Sequence, residues 1–342
     1  MAFQGSTIIQ APMAGGAANP LLAATVCNAG GIGFLAGGYK KAEEIKKEIR
    51  EIRKMTKAPF GVNLFVPSSD PASLAGLEAY KLKLERAAKA LGCSLGEVRM
   101  DDDDWEEKKK IVAEEKIPFV SFTFGCPDRT DIQWLQKKGT SVIVTVTNEV
   151  EAEQALKNQA NALCVQGPEA GGHRSVFQNN GSPKEDEASL LEILSSVRRI
   201  TSAPLIAAGG IMDGTGIREM LDAGADAVQM GTAFLCCPES GAHPIYKEAL
   251  RNPAFTETIV TRSFTGRPAR GLKNDFIAAY DDCAPALYPY VHQLTQPIRK
   301  AAADRGDAGY MSLWAGTGFK GIRPLPAEEL VKKLLDEAGL ER

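Results

Sequence analysis

The chain has 342 residues, 44% of them hydrophobic, which is enough for one large domain or two ordinary ones with a sizeable core. Lys and Arg number 40 and Asp and Glu 43, so the net charge is −3, and no basic block follows the pattern of a nucleic-acid binding surface. No apolar run approaches the roughly 18 residues of a membrane helix, and the N-terminal segment lacks a signal-peptide pattern. We therefore expect a cytoplasmic protein that binds neither nucleic acid nor a membrane.

Short β-branched apolar runs alternate with helical patterns along the chain. In chain order, the eight predicted strands lie within STIIQAPM, GIGFLAGG, FGVNLFVP, FVSFTFG, SVIVTVT, ALCVQGPEAGG, PLIAAGGIM and AVQMGTAFL. These strands are almost continuously apolar, as expected when helices cover them, and no G-x-G-x-x-G opens a first βα turn. The pattern predicts an α/β fold, a closed (β/α)₈ TIM barrel rather than an open doubly wound sheet.

Two segments interrupt this alternation. A polar-rich stretch at about 68–117 follows the third strand and is interpreted as a helical insertion, with the acidic run at 101–104 as a solvated helix start. Residues 235–342 are rich in Pro, Gly and Tyr and break the rhythm. We predict a barrel over residues 1–234 and, over 235–342, a C-terminal helical cap that completes the barrel and the substrate pocket.

The cysteines are scattered along the chain. Seven are present, at 27, 93, 126, 164, 236, 237 and 283, and none forms a C-x-x-C pair. This spacing predicts neither a metal site nor a disulfide framework. Several lie inside apolar runs, where cysteine packs as a small buried hydrophobe.

The loops that follow the strands of a TIM barrel converge on one face, so the strand ends form one candidate site. Two of these ends are similar to phosphate-binding turns, because exposed backbone N–H groups and glycine allow an anion to approach closely. They comprise Gly209 and Gly210 after the seventh strand, and Gln229, Met230, Gly231 and Thr232 after the eighth. The alternative is that the glycine pair only forms a tight turn.

Two amides, Asn63 and Gln166, end otherwise apolar strands, where an unpaired amide would be unfavourable. A bound heterocycle would satisfy them, and hydrogen bonds to neighbouring loop backbone are the alternative. Together with a phosphate site, the amides indicate a flat, polar-edged, phosphorylated ligand. Flavin mononucleotide (FMN) fits that description.

One of three histidines, His173, follows Gly171 and Gly172 in the segment QGPEAGGHRSVF. At the barrel mouth it would lie beside the flavin ring, where an imidazole of pKa about 6.5 can take or give a proton. The alternative is a polar residue on a turn. His243 is expected in a surface loop, and the sequence leaves the place of His292 open.

A resemblance covers nearly the whole chain. The segments IIQAPMAGG, GVNLF, VSFTFG, VQGPEAGGHR, PLIAAGGIMDGTGI, GADAVQMGTAFLCCPES and SLWAGTG are similar to those of nitronate monooxygenase, formerly called 2-nitropropane dioxygenase. The SFTFG segment and the tail resemble the class I branch of this family.

This resemblance implies an FMN-bound TIM barrel that oxidises alkyl nitronates, such as propionate 3-nitronate, with dioxygen and without a metal. The reaction would pass through a flavin semiquinone and release nitrite and a carbonyl product. His173 matches the active-site histidine, which interacts with the anionic nitronate or acts as a base toward a nitroalkane. The expected FMN-binding positions are Met13, Asn63, Gln166, Gly171, Gly172, Gly209, Gly210, Gln229, Met230, Gly231 and Thr232.

The substrate side departs from the family pattern. Thr123 stands where some class I members carry histidine, and His292 and Gln296 stand where some relatives carry Tyr and Lys. Thr123, Tyr288 and His292 are the expected substrate-pocket residues, with a packing role as the alternative for Tyr288. Whether the chain forms a homodimer is left open.

Other functions remain in competition. An FMN-dependent enoyl-ACP reductase shares an EAGGH segment, AAGGI and a Q-x-G-T turn, and an NAD(P)H:quinone reductase of the same superfamily is a further alternative. A flavin-binding protein without turnover and a sugar-phosphate enzyme belong to different classes. Flavin colour and oxygen uptake with a nitronate would separate these two from the monooxygenase.

Overall fold

A computed structural model describes residue 3 and residues 5–67, 74–179 and 188–340. Eight parallel strands close into a barrel in the order β1-β2-β3-β4-β5-β6-β8-β9, which confirms the predicted (β/α)₈ TIM barrel. They are β1 (Ile8–Gln10), β2 (Ile32–Ala36), β3 (Gly61–Phe65), β4 (Phe119–Thr123), β5 (Ser141–Val146), β6 (Ala162–Gln166), β8 (Leu205–Ala208) and β9 (Ala227–Met230). Each lies inside one of the eight segments identified from the sequence.

Apolar side chains on both faces of the strands explain why the sheet closes into a barrel. Inward side chains such as Phe34, Ile143 and Ile206 fill the barrel interior, while outward ones such as Val62 and Val144 pack under the helices. Gly61 is required at its position because a Cβ there would lie 2.2 Å from the ring of Phe34. The barrel is therefore a packed core with its site at one rim.

The helices form an outer layer and a cap. They are α1 (Pro20–Asn28), α2 (Ala42–Met55), α3 (Leu77–Ala90), α4 (Trp105–Glu114), α5 (Arg129–Lys137), α6 (Glu149–Lys157), α7 (Leu190–Ile200), α8 (Gly214–Asp222), α9 (Pro244–Arg251), α10 (Asp275–Tyr280), α11 (Tyr290–Asp304) and α12 (Ala327–Glu337). No helix in the described ranges is long and apolar enough to cross a membrane.

The cap is built from parts that are distant in sequence. Apolar side chains of α3, α9, α10 and α11 share a second core, whereas α12 packs between α8 and α1 in the outer layer of the barrel. The segment interpreted as an insertion thus contributes α3 to the cap and α4 to the barrel layer, and residues 68–73 lie outside the described part. The division at residue 234 stays a prediction.

A small antiparallel sheet joins the cap to the barrel rim. Its strands are β7 (Gly172–His173), β10 (Thr258–Thr261) and β11 (Ala269–Leu272), in the order β10-β11-β7. His173 pairs with Ala269 in this sheet. The loop after β6 is thereby fixed by main-chain hydrogen bonds to the cap.

The acidic run precedes α4 as expected, but it is not fully solvated. Asp103 lies 2.8 Å from Nζ of Lys108, which is 1% exposed and also donates to the carbonyl of Gly37 at 2.9 Å. The same carboxylate accepts the backbone N–H of Tyr39 at 3.0 Å. Burial raises the pKa of Asp103 to about 6, against the opposing effect of Lys108. The hydrogen bonds of this ion pair with Gly37 and Tyr39 tie the start of α4 to the loop after β2.

Candidate active site

A cavity of about 490 Å³ lies at the carboxyl ends of the barrel strands, under the cap. Its size falls in the range of about 300–1,000 Å³ that is usual for cofactor and ligand sites. The predicted site residues that line it are Met13, Asn63, Thr123, Gln166, Gly171, Gly172, His173, Gly209, Gly210, Gln229, Met230, Gly231, Thr232 and His292. Tyr288 is not among the described residues that line the cavity.

The two glycine-rich turns leave backbone donors available. Gly209 and Gly210 have φ values of +139° and +70°, which strongly favour glycine. Within the described residues, the N–H groups of Gly209, Gly210 and Thr232 donate no hydrogen bond. A Cβ on Gly210 would lie 3.0 Å from Cβ of Glu169. We call these two turns, with Gly209, Gly210 and Thr232, the glycine rim. They suit a phosphate group, whose oxygens would accept hydrogen bonds from such donors.

Asn63 is 2% exposed and bonded to the neighbouring strand. Its Nδ2 donates to the backbone and hydroxyl oxygens of Ser121 at 3.1 and 2.9 Å, and to Oγ1 of Thr123 at 3.0 Å. The described residues supply no donor to its Oδ1. Thr123 is therefore an acceptor for Asn63 on the cavity wall, and its hydroxyl cannot replace the acid–base function of a histidine.

Gln166 organises the loop that carries His173. Its Nε2 donates to the carbonyl of His173 at 3.0 Å, and its Oε1 accepts the N–H of Ser175 at 2.8 Å. Both ends of the side-chain amide therefore bond to loop backbone, which was the alternative to contact with a bound heterocycle. Gln166 still lines the cavity, and its main effect is to fix the position of the histidine.

His173 lies among aromatic rings. Ring centroids of Phe124 and Trp314 lie 5.4 and 5.5 Å from its own, and its Nε2 lies 3.0 Å from Oγ1 of Thr265. Burial, reinforced by the positive charges of Arg267 and Arg299, lowers the pKa of His173 to about 3. The imidazole is therefore neutral at physiological pH.

His292 and Tyr288 form the wall behind this histidine. His292 stacks on Tyr39 with ring centroids 4.0 Å apart and an interplanar angle of 3°. Tyr288 contacts the rings of Phe124 and His292 at 5.4 and 6.5 Å. Burial lowers the pKa of His292 well below 6.5 and raises the pKa of Tyr288 well above 10, so neither side chain is charged at neutral pH.

Several lining residues were not found from the sequence. Tyr39, Thr265, Arg299 and Trp314 reach the cavity from loops and from α11, so only the tertiary packing brings them there. His243 is exposed, as expected, but it also lines the cavity mouth, and its Nδ1 accepts the N–H of Ile245 at the start of α9 at 3.3 Å. Apart from Trp314, which lies in the SLWAGTG segment, none of these positions belongs to a motif quoted from the sequence.

A family model described as nitronate monooxygenase matches residues 2–337. The chain belongs to the nitronate monooxygenase family. The nitronate monooxygenase of Pseudomonas aeruginosa is 40% identical over 341 residues, covering 96% of this chain and 95% of the relative. A probable nitronate monooxygenase of Staphylococcus saprophyticus is 37% identical over 339 residues, covering 97% and 94%.

Two solved structures place this nitronate monooxygenase family member among similar barrels. The nitroalkane oxidase of Streptomyces ansochromogenes matches with a TM-score of 0.94 and 46% identity, covering 98% of this chain and 96% of that one. FabK from Thermotoga maritima matches with a TM-score of 0.76 and 28% identity, covering 99% and 94%. The protein is an oxidoreductase, of a family that is in general flavin-dependent.

Proposed function

We propose that this protein is an FMN-dependent enzyme that oxidises alkyl nitronates of the propionate 3-nitronate type with dioxygen. Two nitronates and one dioxygen give two carbonyl products and two nitrite ions, since each broken C–N bond is replaced by a C–O bond. The observation that supports this most is one cavity joining a glycine rim with free N–H donors to a neutral His173 and a cationic Arg299. The N–H donors suit a phosphate group, and His173 together with Arg299 suits an anionic substrate.

The residues present fit FMN. The N–H groups of Gly209, Gly210 and Thr232 would hold the phosphate, and Asn63 would offer its free Oδ1 to a ring N–H. When bound, FMN would accept electrons from the substrate and pass them to dioxygen. The chain itself would orient the substrate and exclude water.

A neutral His173 favours an already ionised substrate. With a pKa near 3, the imidazole is a poor base for removing a proton from a nitroalkane at neutral pH. A neutral imidazole has one N–H and one acceptor nitrogen, and Thr265 shares a hydrogen bond with Nε2. The other ring nitrogen is left to contact the substrate. We therefore propose that the nitronate, rather than the neutral nitroalkane, is the form that reacts.

The test is nitrite release and oxygen uptake with propionate 3-nitronate. His173→Asn is expected to keep its flavin, because the bond from Gln166 goes to the backbone carbonyl of residue 173. Its kcat/KM should fall by about 100-fold or more, the effect of losing one positioned polar group. Wild-type activity in His173→Asn with its flavin retained would contradict the assigned role of His173.

A second candidate rests on the match to FabK, whose structure covers 99% of this chain. On this alternative the protein would be an enoyl-ACP reductase or quinone reductase that takes electrons from NADH or NADPH. Rapid oxidation of a reduced nicotinamide, with no nitrite formed from a nitronate, would establish it. The higher TM-score and identity of the nitroalkane oxidase favour the first proposal.

A further inference from the structure

One face of α11 forms a wall of the cavity. Its lining residues are His292, Gln296, Arg299, Lys300 and Ala303, which recur at the spacing of a single helical face. Arg299 and Lys300 are the cationic residues among the described residues that line the cavity, and that lining contains no Asp or Glu. The cavity therefore has positive charge without an acidic counterpart on its own walls.

The two cations differ in their partners. Lys300 is bonded to Asp304 at 2.6 Å on an exposed face, with side chains 74% and 62% exposed, so solvent screens the pair. Arg299 makes no ion pair with any carboxylate of the described ranges. The unbalanced charge is thus that of Arg299.

The guanidinium of Arg299 is held in place but is not saturated. Its Nη2 donates to the carbonyl of His292 at 3.0 Å and lies 3.2 Å from Nδ1 of that residue. Its Nε is buried and has no hydrogen-bond partner among the described residues. Burial lowers the pKa of Arg299 to about 10, so the group is still protonated at neutral pH. A partly buried cation without a carboxylate partner is unfavourable until an anion reaches it.

We propose that Arg299 binds a planar two-oxygen anion of the substrate, and that it thereby determines the preference of the enzyme for anionic substrates. Among the described residues nothing accepts a hydrogen bond from Nη1 of Arg299, so its N–H groups can donate charge-assisted hydrogen bonds to an oxygen of such an anion. The nitronate group has this shape, and so does the carboxylate of a nitronate that carries one. The inference rests on the proposed function and adds a substrate-binding residue contributed by α11 of the cap.

Arg299 lies on the same side of the cavity as His173. It contacts His292, whose ring lies against Tyr39, and its charge adds to the effects of burial and Arg267 that lower the pKa of His173. An anion bound at Arg299 would therefore be close to the neutral imidazole.

The experiment compares Arg299→Gln and Arg299→Lys in the flavin-loaded enzyme with wild type and with Arg305→Gln. Arg305 is a matched control because it follows α11 directly and donates to the carbonyl of Ala90, away from the cavity. KM and kcat are measured with ethyl nitronate, which has one anionic group, and with propionate 3-nitronate, which also has a carboxylate.

Arg299→Gln is expected to raise KM by about 10- to 100-fold, the effect of losing hydrogen bonds from a charged donor, with a smaller change in kcat. Arg299→Lys should lie between this variant and wild type. A rise for both substrates assigns the contact to the nitronate group, and a rise for propionate 3-nitronate alone assigns it to the carboxylate. Unchanged KM for both substrates, or loss of FMN from both Arg299 variants, would overturn the proposal.

Calorimetric measurement of propionate binding tests this inference independently of the proposed function. Wild type should bind propionate, and Arg299→Gln should bind it about 10-fold or more weakly. If wild type binds propionate in this way but oxidises no nitronate, the proposed function fails while the anion site stands. If propionate binds equally to both proteins, Arg299 is not the anion-binding residue.

Discussion

Replacing Gly171 or Gly172 by alanine should give very different results, although the two glycines are adjacent. Gly172 has a φ of +78° and open space around its Cβ position. Gly171 is placed so that a Cβ would lie 2.5 Å from the backbone nitrogen of Gly316 and 2.6 Å from the carbonyl carbon of Ala315. Only one of the two substitutions therefore forces backbone segments apart.

The magnitudes follow from these contacts. Gly172→Ala should lower the free energy of unfolding by about 1 kcal/mol, the cost of a left-handed alanine. Gly171→Ala must separate the loop after β6 from the 315–317 segment. In that segment the N–H of residue 316 donates to Oγ1 of Thr232 and the N–H of residue 317 donates to the carbonyl of Glu169, each at 3.0 Å. Overpacking together with strain on these bonds should lower the free energy of unfolding by about 3 kcal/mol or more.

Urea denaturation of both variants, with flavin content measured on the same samples, tests these two predicted losses of stability. Gly171→Ala should have the lower midpoint and should lose FMN, because the displaced segment also lines the cavity. Gly172→Ala should retain most of its flavin. If Gly171→Ala lay within about 0.5 kcal/mol of Gly172→Ala, the inferred close approach of the two backbones would be refuted.

Three further predictions concern the ion pair, the histidine and the glycine rim. Asp103→Asn should lower the free energy of unfolding by about 3 kcal/mol, because buried Lys108 loses its carboxylate, and adding Lys108→Met should recover most of the loss in urea denaturation. Equal losses in the single and double variants would contradict this. For a preformed nitronate, kcat/KM should show no titration step of His173 between about pH 5 and pH 8, since its folded pKa near 3 keeps it neutral throughout; a step near 6.5 in the pH profile would contradict this. Gly210→Ala should weaken FMN binding by about 10-fold in fluorescence titration, because φ is +70° and Glu169 lies 3.0 Å from the new Cβ. Gly216→Ala in α8, with no neighbour closer than 3.5 Å, should leave FMN binding unchanged, and equal effects would argue against the rim.

The barrel could be predicted from the sequence because each strand is a short, isolated apolar run. Strands of this kind must be covered by helices, and their ends must share one rim. For this reason Asn63, His173 and Gly210 could be assigned to one cavity although they are far apart in the chain. The same logic cannot determine whether an amide such as Gln166 faces a ligand or its own loop.

The residues that the sequence did not reveal come from the cap. The polar face of an amphipathic helix is the same whether it meets water or a cavity, so the periodicity of α11 could not distinguish Arg299 from a surface cation. The reason that residue 171 must be glycine is a second example, although the position itself was predicted. Its need for glycine arises from the backbone of residues 315 and 316, more than 140 positions away. The charge state of His173 likewise depends on its burial and on the charges of Arg267 and Arg299, which only the fold brings near.

The most direct test of the proposed function is anaerobic mixing of the flavin-loaded protein with propionate 3-nitronate and, in parallel, with NADH and NADPH. Flavin absorbance is followed in each mixture, and air is then admitted while nitrite is measured. We expect the nitronate to change the flavin spectrum rapidly, with nitrite formed once oxygen is present, and the nicotinamides to act far more slowly. Rapid bleaching by NADH or NADPH with no response to the nitronate would contradict the assignment.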